Sequence, residues 1–389
     1  MTSTGSASIA GLGLTDVGKI YGRSATDFAA EAVRLAAADA GLAVTDLDGL
    51  LVSPGTQGSP KLSLQKVLGL RDLRLLAEIN ALGASPATMI AYAAAAVAAG
   101  QAEAVACVFA DAPLKPKGSS RDAFGSGLAR SGPKGFAGYH AGIGAVSPNL
   151  FYALAAQRHF ATYGTTSEQL AAIAVAQRAW AAGNPVAQFL DPLTLEQHQA
   201  SPVVVDPLHL FDICLVSNGG AAVIVTSRER ARDLAQPPVD VLGWAQAHPG
   251  RVMHRDSEFG LRTGAATAGP DALRMAGVTV EDVDLLQIYD CYTYTVLVTL
   301  EDYGFCPKGE GGKFVAEGRL APGGDLPCNT GGGQLSAYYL SGFTPVVEAV
   351  TQARGQAGAR QVDKREVVMV SGNGGILEHH ATLVLGGAS

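Results

Sequence analysis

The stretch Gly277-Val-Thr-Val-Glu-Asp-Val-Asp-Leu-Leu-Gln-Ile288 repeats, without a gap, an earlier stretch of the same 389-residue chain, Gly41-Leu-Ala-Val-Thr-Asp-Leu-Asp-Gly-Leu-Leu-Val52. Each copy follows an alanine and runs through a turn into a short apolar segment that is typical of a buried strand. Solenoids need three or more shorter repeats. The duplication therefore predicts one α/β unit that occurs twice.

The segments around the two copies also repeat in order. An alanine-rich helix is predicted over 91–100 and ends in Gly-Gln-Ala before a strand over 104–109. A second helix over 345–354 ends in the same Gly-Gln-Ala before a strand over 367–370. Ser24-Ala-Thr-Asp27 resembles a capping box that opens the first helix. Helices that alternate with short apolar strands indicate α/β layers.

The repeat also suggests where the domains divide. We expect an N-terminal half over residues 1–240 and a C-terminal half over 241–389. The region of about 112–205 is first irregular and rich in Gly, Ser and Pro, and then becomes helical over 150–163 and 167–182. We interpret it as an inserted loop domain that carries substrate contacts.

Composition excludes several classes of protein. The chain has 48 glycines, 16% charged residues and a formal net charge of −7, which excludes disorder and makes nucleic acid an unlikely partner. Its five cysteines form no CxxC pair, which predicts reduced thiols, a cytoplasmic location and no structural metal site. The uncharged stretch over 79–102 is mostly alanine, so we expect a packed helix and no membrane span.

Four local phrases carry a resemblance. They are Ser201-Pro-Val-Val-Val-Asp-Pro with Asn218-Gly-Gly-Ala-Ala, then Ile288-Tyr-Asp-Cys-Tyr-Thr-Tyr294, Asn329-Thr-Gly-Gly-Gly-Gln-Leu-Ser-Ala-Tyr-Tyr339 and Ser371-Gly-Asn-Gly-Gly-Ile-Leu377. In this order they resemble the sterol-carrier-protein-type branch of the thiolase superfamily. The resemblance implies a thiolase fold, in which two duplicated βαβαβ-type halves form five αβαβα layers.

The catalytic positions of the resembled family are changed in this chain. Gly83 falls at the nucleophilic cysteine, Tyr339 at the histidine of the Gly-His-Pro loop, and the last cysteine falls within 371–373. A chain without a thiolate at the nucleophile position cannot form an acyl-enzyme, which argues against thiolytic chemistry.

Retro-aldol cleavage of a β-hydroxy thioester needs no nucleophile, only a base, an acid and hydrogen-bond donors for the enolate. The combination of Gly for Cys and Tyr for His resembles the thiolase-like aldolases of bacterial steroid side-chain degradation. That resemblance implies cleavage of a 17-hydroxy steroid acyl-CoA to a 17-keto steroid and propionyl-CoA. It also implies a homodimer through the thiolase core and an obligate partner subunit with an OB-fold and a zinc ribbon, in an α2β2 assembly. The CoA thioester is the substrate, and no covalent cofactor is expected.

The candidate site consists of catalytic residues, residues of the thioester loops and residues that contact CoA. We expect Tyr294 and Tyr339 to form the acid/base pair. The remaining candidates support catalysis (Tyr292, Asp290, Tyr338), line the thioester loops (Gly83, Asn373, Gly374, Gly375) or contact CoA (Lys115, Lys117, Arg121, His379). No metal is expected, because the adjacent His379 and His380 would point to opposite faces of a strand.

Alternatives remain open at this stage. The tyrosines can be core or interface aromatics with satisfied hydroxyls, and the lysines can belong to a solvated loop. For the chain as a whole, the rivals are a sterol-carrier-type acyl-CoA acyltransferase and a non-catalytic acyl-CoA-binding scaffold subunit.

Overall fold

The structure is a computed structural model that describes residues 7–56, 58–118, 147–250 and 258–387, with isolated positions at 123, 142, 144 and 145. The strands of the described residues are β1 Ala7–Leu14, β2 Gly49–Ser53, β3 Leu75–Glu78, β4 Ala104–Asp111, β5 Val203–Val205, β6 Leu208–His209, β7 Gly219–Ser227, β8 Val239–Ala247, β9 Leu285–Gln287, β10 Val367–Gly374 and β11 His379–Gly386. The α-helices are α1 Ala25–Asp39, α2 Leu64–Leu68, α3 Ser85–Ala98, α4 Pro148–Tyr163, α5 Ser167–Ala181, α6 Leu195–Ala200, α7 Arg228–Arg232, α8 Ala265–Ala276, α9 Thr293–Tyr303, α10 Gly311–Ala316 and α11 Phe343–Ala353.

The main sheet has the same strand arrangement in its two halves. Its order is β3-β2-β4-β7-β1-β8-β11-β10-β9, and only two residue pairs, one of them Ser8 with Asp240, join β1 to β8. In the second half, a parallel bridge from Leu286 to Cys328 stands where β3 pairs with β2 in the first half. The first half has the strand order β3-β2-β4-β7-β1. In the second half, the bridge at Cys328 is followed in the same way by β9, β10, β11 and β8, as expected from one unit that occurs twice.

Helices cover the sheet halves in five layers. Helix α1 packs on β1, β4 and β7 and forms one outer layer. Helix α8 packs on β8 and β11 and forms the other outer layer. Helices α3 and α11 touch each other and strands of both halves, so they form the central layer. Burial explains the composition of α3, since ten of its fourteen residues are buried and five of those are alanine.

Glycines bring the outer helices close to the sheet at matching positions. A Cβ at Gly13 of β1 would overlap the backbone of α1 at Ala32, and a Cβ at Gly243 of β8 would overlap the backbone of α8 at Ala272. The same close strand–helix approach occurs in both halves, which accounts for part of the glycine excess.

Most sequence predictions about local structure are confirmed. Ser24 and Asp27 form a capping box at the start of α1, and the two helices predicted over 150–163 and 167–182 are α4 and α5. Both repeat copies begin with a glycine at φ 75° that is followed by a short 3-10 turn and a strand. The domain boundary at 240 and the limits of the insertion remain predictions. Among the described helices, none combines the length and apolar character that a membrane crossing requires.

Candidate active site

Unusual backbone conformations mark four loops of the structure. Of the six non-glycine residues with positive φ in the described parts of the chain, five lie in these loops: Leu82, Asn329, Ser341, Ile376 and Leu377. Backbone strain of this kind persists only where the surroundings impose it, and it is concentrated at functional sites. The loops at Ser341 and at Ile376 and Leu377 pack on the loop of Leu82 and Gly83, which precedes the central helix α3. Asn329 is hydrogen-bonded to the backbone of Ile288, next to Tyr289.

Gly83 lies where three of these loops meet. A Cβ on Gly83 would overlap the carbonyl oxygen of Asn373 and would come within 2.5 Å of the Tyr289 ring. A Cβ on Gly342 would in turn overlap the carbonyl oxygen of Gly83. The position of the family nucleophile therefore has no room for any side chain, and the aromatic ring of Tyr289 occupies the space beside it.

Two tyrosines meet at this point. The hydroxyl oxygens of Tyr289 and Tyr339 lie 3.2 Å apart, within hydrogen-bond distance. Tyr289 is 5% exposed and follows β9, while Tyr339 is half-buried and follows a π-helix over Gly333–Ala337. The backbone N–H of Tyr339 donates to Ser217, and that of Tyr289 donates to Ser371. The backbone of each tyrosine is thus fixed by a serine from a different part of the chain.

Burial sets the protonation of the pair. It raises the pKa of Tyr289 well above its usual value, with the neighbouring Tyr339 adding to the effect. Burial likewise raises the pKa of Tyr339, although the hydrogen bond with Tyr289 acts in the opposite direction. Both phenols are therefore neutral at physiological pH.

Asp290 connects the two tyrosine loops. It is fully buried beside Tyr289, and its carboxylate accepts the backbone N–H of Gln334 at 2.8 Å and that of Leu335 at 3.3 Å in the π-helix before Tyr339. Burial raises its pKa to about 7, although those N–H donors favour the charged form. Asp290 therefore joins the loop of Tyr289 to the π-helix that precedes Tyr339.

A second aromatic pair adjoins the first. The rings of Tyr152 and Tyr292 stack with centroids 4.3 Å apart, and the Tyr292 hydroxyl donates to Asn149 at 2.6 Å. Tyr152 and Asn149 come from α4 of the predicted insertion. The insertion thus supplies one wall of the site.

Two predicted catalytic tyrosines lie elsewhere. Tyr294 is fully buried, its hydroxyl donates to the carbonyl of Gly260, and its ring packs edge-on against His159. The hydroxyl beside Tyr339 is therefore that of Tyr289 and not that of Tyr294, which the turn into α9 directs into the core. The acid/base roles themselves stay a prediction. Tyr338 belongs to the central apolar core, since consecutive residues of an extended segment point to opposite sides.

The glycine-rich loop of residues 373–375 packs against Gly83. A Cβ on Gly374 would overlap the carbonyl oxygen of Ala81, and Gly375 has a φ of 66°. Asn373 is 1% exposed, and neither atom of its side-chain amide has a hydrogen-bond partner among the described residues. An unsatisfied buried amide at a reacting centre is suited to a ligand oxygen.

The predicted CoA contacts are dispersed. Lys115 and Lys117 are exposed in the loop after β4, and Arg121 lies outside the described residues. His379 begins β11, and its Nδ1 lies 3.2 Å from Nδ1 of His248. None of the described members of this group contacts the tyrosine pair directly in the hydrogen bonds of the structure.

Three residues of the site, Tyr289, Asn149 and Tyr152, were not predicted from the sequence. The signal for Tyr289 was present: aligning Tyr289-Asp-Cys-Tyr with the family's His-Asp-Cys-Phe element puts Tyr289 at the histidine. Asn149 and Tyr152 come from a different region, and no motif indicated them.

The duplicated five-layer fold with loops that meet at Gly83 defines a thiolase-fold protein, and its tyrosine pair without a thiol sets it apart from a thiolase. Comparisons agree with this class. Residues 245–387 match the family model described as thiolase C-terminal domain-like.

Two curated relatives cover nearly the whole chain. The steroid side-chain-cleaving aldolase of Thermomonospora curvata is 36% identical over 95% of this chain and 96% of its own length. The 17-hydroxy-3-oxo-4-pregnene-20-carboxyl-CoA lyase of Mycobacterium tuberculosis is 34% identical over 95% of this chain and 97% of its own length. The solved Ltp2-ChsH2(DUF35) aldolase has a TM-score of 0.88 and 35% identity, covering 100% of this chain and 99% of that one. The chain belongs to the steroid side-chain-cleaving aldolase family of the thiolase superfamily.

Proposed function

We propose that this protein is a carbon–carbon lyase that cleaves a 3-hydroxyacyl-CoA by a retro-aldol reaction. The substrate is a 17-hydroxy steroid side-chain acyl-CoA, and the products are a 17-keto steroid and propionyl-CoA. The names of the two curated relatives support this choice of substrate. The observation that carries the proposal is the Tyr289–Tyr339 hydroxyl pair beside a glycine at the nucleophile position.

Two neutral phenols can move the required proton as a relay. The substrate hydroxyl gives its proton to one phenol while the bond between the β-carbon and the α-carbon breaks. In the same concerted step, that phenol passes its own proton to the other phenol, which protonates the α-carbon as negative charge develops on the thioester oxygen. Neither tyrosine has to ionise, which suits the raised pKa of both groups. At the end of the step the ketone is released, and each tyrosine has gained one proton and lost one.

The enolate oxygen needs hydrogen-bond donors. We assign this task to the loop of residues 373–375 and to the backbone at Gly83, which it touches. The unpartnered amide of Asn373 is a candidate donor. Donors fixed in a buried site stabilise a developing oxyanion more strongly than water does.

The assembly is part of the proposal. The solved Ltp2-ChsH2(DUF35) aldolase carries the names of two components, and we propose that this chain also works with a partner subunit, of OB-fold and zinc-ribbon type. Edge strand β3 exposes Leu76, and the nearby Leu82 is 56% exposed. An apolar edge of this kind favours the core homodimer.

The test is turnover by the chain co-expressed with a candidate OB-fold partner. The complex is incubated with a 17-hydroxy steroid acyl-CoA in the absence of free CoA, and propionyl-CoA and the 17-keto steroid are measured by mass spectrometry. Equal amounts of both products are expected. Products that appear only when free CoA is added would favour the acyltransferase. Tight binding without products, in a complex of correct stoichiometry, would favour the scaffold.

A further inference from the structure

We propose that His248 and His379 form a cross-strand binding site for a divalent transition-metal ion of the Cu²⁺, Ni²⁺ or Zn²⁺ type. The site lies outside the tyrosine pair and does not depend on the proposed reaction. Imidazole nitrogen is a preferred ligand of these ions.

The sheet places the two rings opposite each other. The antiparallel ladder of β8 and β11 pairs Ala247 with His380, so the next residues along each strand, His248 and His379, face each other. His380 points to the opposite side of β11, where its Nε2 hydrogen-bonds to Tyr303 at 2.8 Å in the buried core. His379 and His380 therefore cannot bind one ion together, but His379 faces His248 on the neighbouring strand.

The separation of the ring nitrogens fits a shared ion. The two Nδ1 atoms are 3.2 Å apart. Two nitrogens bound to one ion at about 2.0–2.1 Å lie roughly 2.9–3.4 Å apart, depending on whether the geometry is octahedral or tetrahedral. Binding therefore needs little movement of either ring.

A neighbouring side chain sets the tautomer of His248. Its Nε2 lies 3.3 Å from Oε1 of Gln246, and donation of the Nε2 hydrogen to that oxygen leaves a lone pair on Nδ1. Metal-binding histidines commonly donate their second ring N–H to an oxygen in this way.

An open cavity of about 460 Å³ lies on the side of His248 and gives an ion access to that ring. Its lining includes Gln246, His248, Arg262 and Thr267. Among the described residues, no third His, Cys, Asp or Glu completes a ligand set. Water would fill the remaining positions, and Arg262 in the cavity lining forms an ion pair with Glu258 at 4.0 Å.

Metal binding would restrain the β10–β11 hairpin, which carries the glycine-rich loop of residues 373–375. His379 pairs with Gly374 at the end of β10, next to Asn373. An ion held between His248 and His379 would join β8 to this hairpin and would stabilise the folded state by mass action.

The experiment uses the untagged full chain after treatment with a chelator. Cu²⁺ is titrated at pH 7.5 and followed by electron paramagnetic resonance, and Zn²⁺ is titrated in parallel by calorimetry and by thermal melting. We expect one saturable ion, a two-imidazole Cu²⁺ signature and a higher melting temperature.

Variants locate the site. H379A and H248A are each expected to lower the affinity at least tenfold and to remove one nitrogen from the Cu²⁺ signature, and Q246A to weaken binding about tenfold. H209N is the matched control, because His209 lies on β6 and contacts the Ser201 carbonyl instead. Absence of saturable binding overturns the proposal. Binding that survives unchanged in the H248A/H379A double variant also overturns it.

Discussion

The hydroxyl oxygens of Tyr289 and Tyr339 lie 3.2 Å apart, although the two residues are separated by 50 positions in the chain and belong to different loops. Beside them, the Tyr289 ring fills the space at Gly83. The Tyr289 ring can occupy this space only because residue 83 is a glycine and has no side chain.

Removal of either hydroxyl should abolish the cleavage. Y289F and Y339F each break the proton relay without changing the packing of the ring, so kcat should fall by about 10²–10⁴-fold. The measurement is propionyl-CoA formation by the complex with its partner subunit.

The matched controls are Y294F and Y338F, which alter buried tyrosines outside the pair. They should keep kcat within a few-fold of the parent, with any loss appearing in the melting temperature. A Y294F variant as inactive as Y339F, at unchanged stability, would return the acid/base role to the tyrosine expected from the sequence.

Asp290 should make stability depend on pH. Burial raises its folded pKa to about 7, whereas an unfolded Asp titrates near 3.9. Between about pH 4 and pH 7 the unfolded chain has lost a proton that the folded chain retains, so the free energy of unfolding falls as pH rises through this window. The contribution is at most about 4 kcal/mol.

D290N removes this titration and keeps one acceptor oxygen for the Gln334 N–H. Urea unfolding at pH 4.5 and pH 7.5 should show a smaller difference in free energy for D290N than for the parent chain. Equal differences would show that Asp290 keeps an ordinary pKa.

The fold could be predicted from the sequence because the signals for it lie in short stretches of neighbouring residues. The two repeat copies, the capping box at Ser24 and the helices α4 and α5 depend on neighbouring residues, and all are present in the structure. The third strand of the second half is reduced to one bridge at Cys328, which no local pattern could show.

The site was only partly predictable for the same physical reason. Tyr339 and Gly83 could be placed by motif, but the direction of a tyrosine side chain depends on the turn that carries it. The turn into α9 sends Tyr294 inward and leaves Tyr289 at Gly83. The wall formed by Asn149 and Tyr152 depends on how α4 packs, which is a tertiary property.

Thiol alkylation should leave activity intact. Burial raises the pKa of Cys291 and of Cys306 to about 12, and it raises that of Cys214 well above the usual value. Since the thiolate is the reactive form, iodoacetamide at pH 7.5 should modify these residues slowly. Treated and untreated complexes should show equal kcat, with modification measured by mass spectrometry. Inactivation in step with alkylation of one cysteine would favour a thiol-dependent acyltransferase.

The edge strand β3 should hold the homodimer. L76K puts a charge on the exposed apolar edge, and charges on an edge strand oppose strand-to-strand pairing. We expect a shift from dimer to monomer in light scattering. L210K is the control, because Leu210 is 49% exposed but lies beyond β6, away from β3. A dimer that persists in L76K and dissociates in L210K would place the interface at the turn that follows β6.

Gly83 should tolerate no side chain. In G83A the new Cβ overlaps the Asn373 carbonyl oxygen and approaches the Tyr289 ring to 2.5 Å, so either the glycine-rich loop or the tyrosine pair must shift. A displacement of about 1 Å at a reacting centre costs about 10²-fold in rate, and we expect kcat to fall by that order. G118A is the control, because a Cβ there meets Lys115 at ordinary contact distances of 3.4 Å and more. Because G83C introduces the same Cβ, it should be as impaired as G83A and should gain no thiolytic activity with free CoA. If G83C formed an acyl-enzyme detectable by mass spectrometry, the site would have kept the machinery of a thiolase, and the tyrosine pair would be an addition to that machinery and not its replacement.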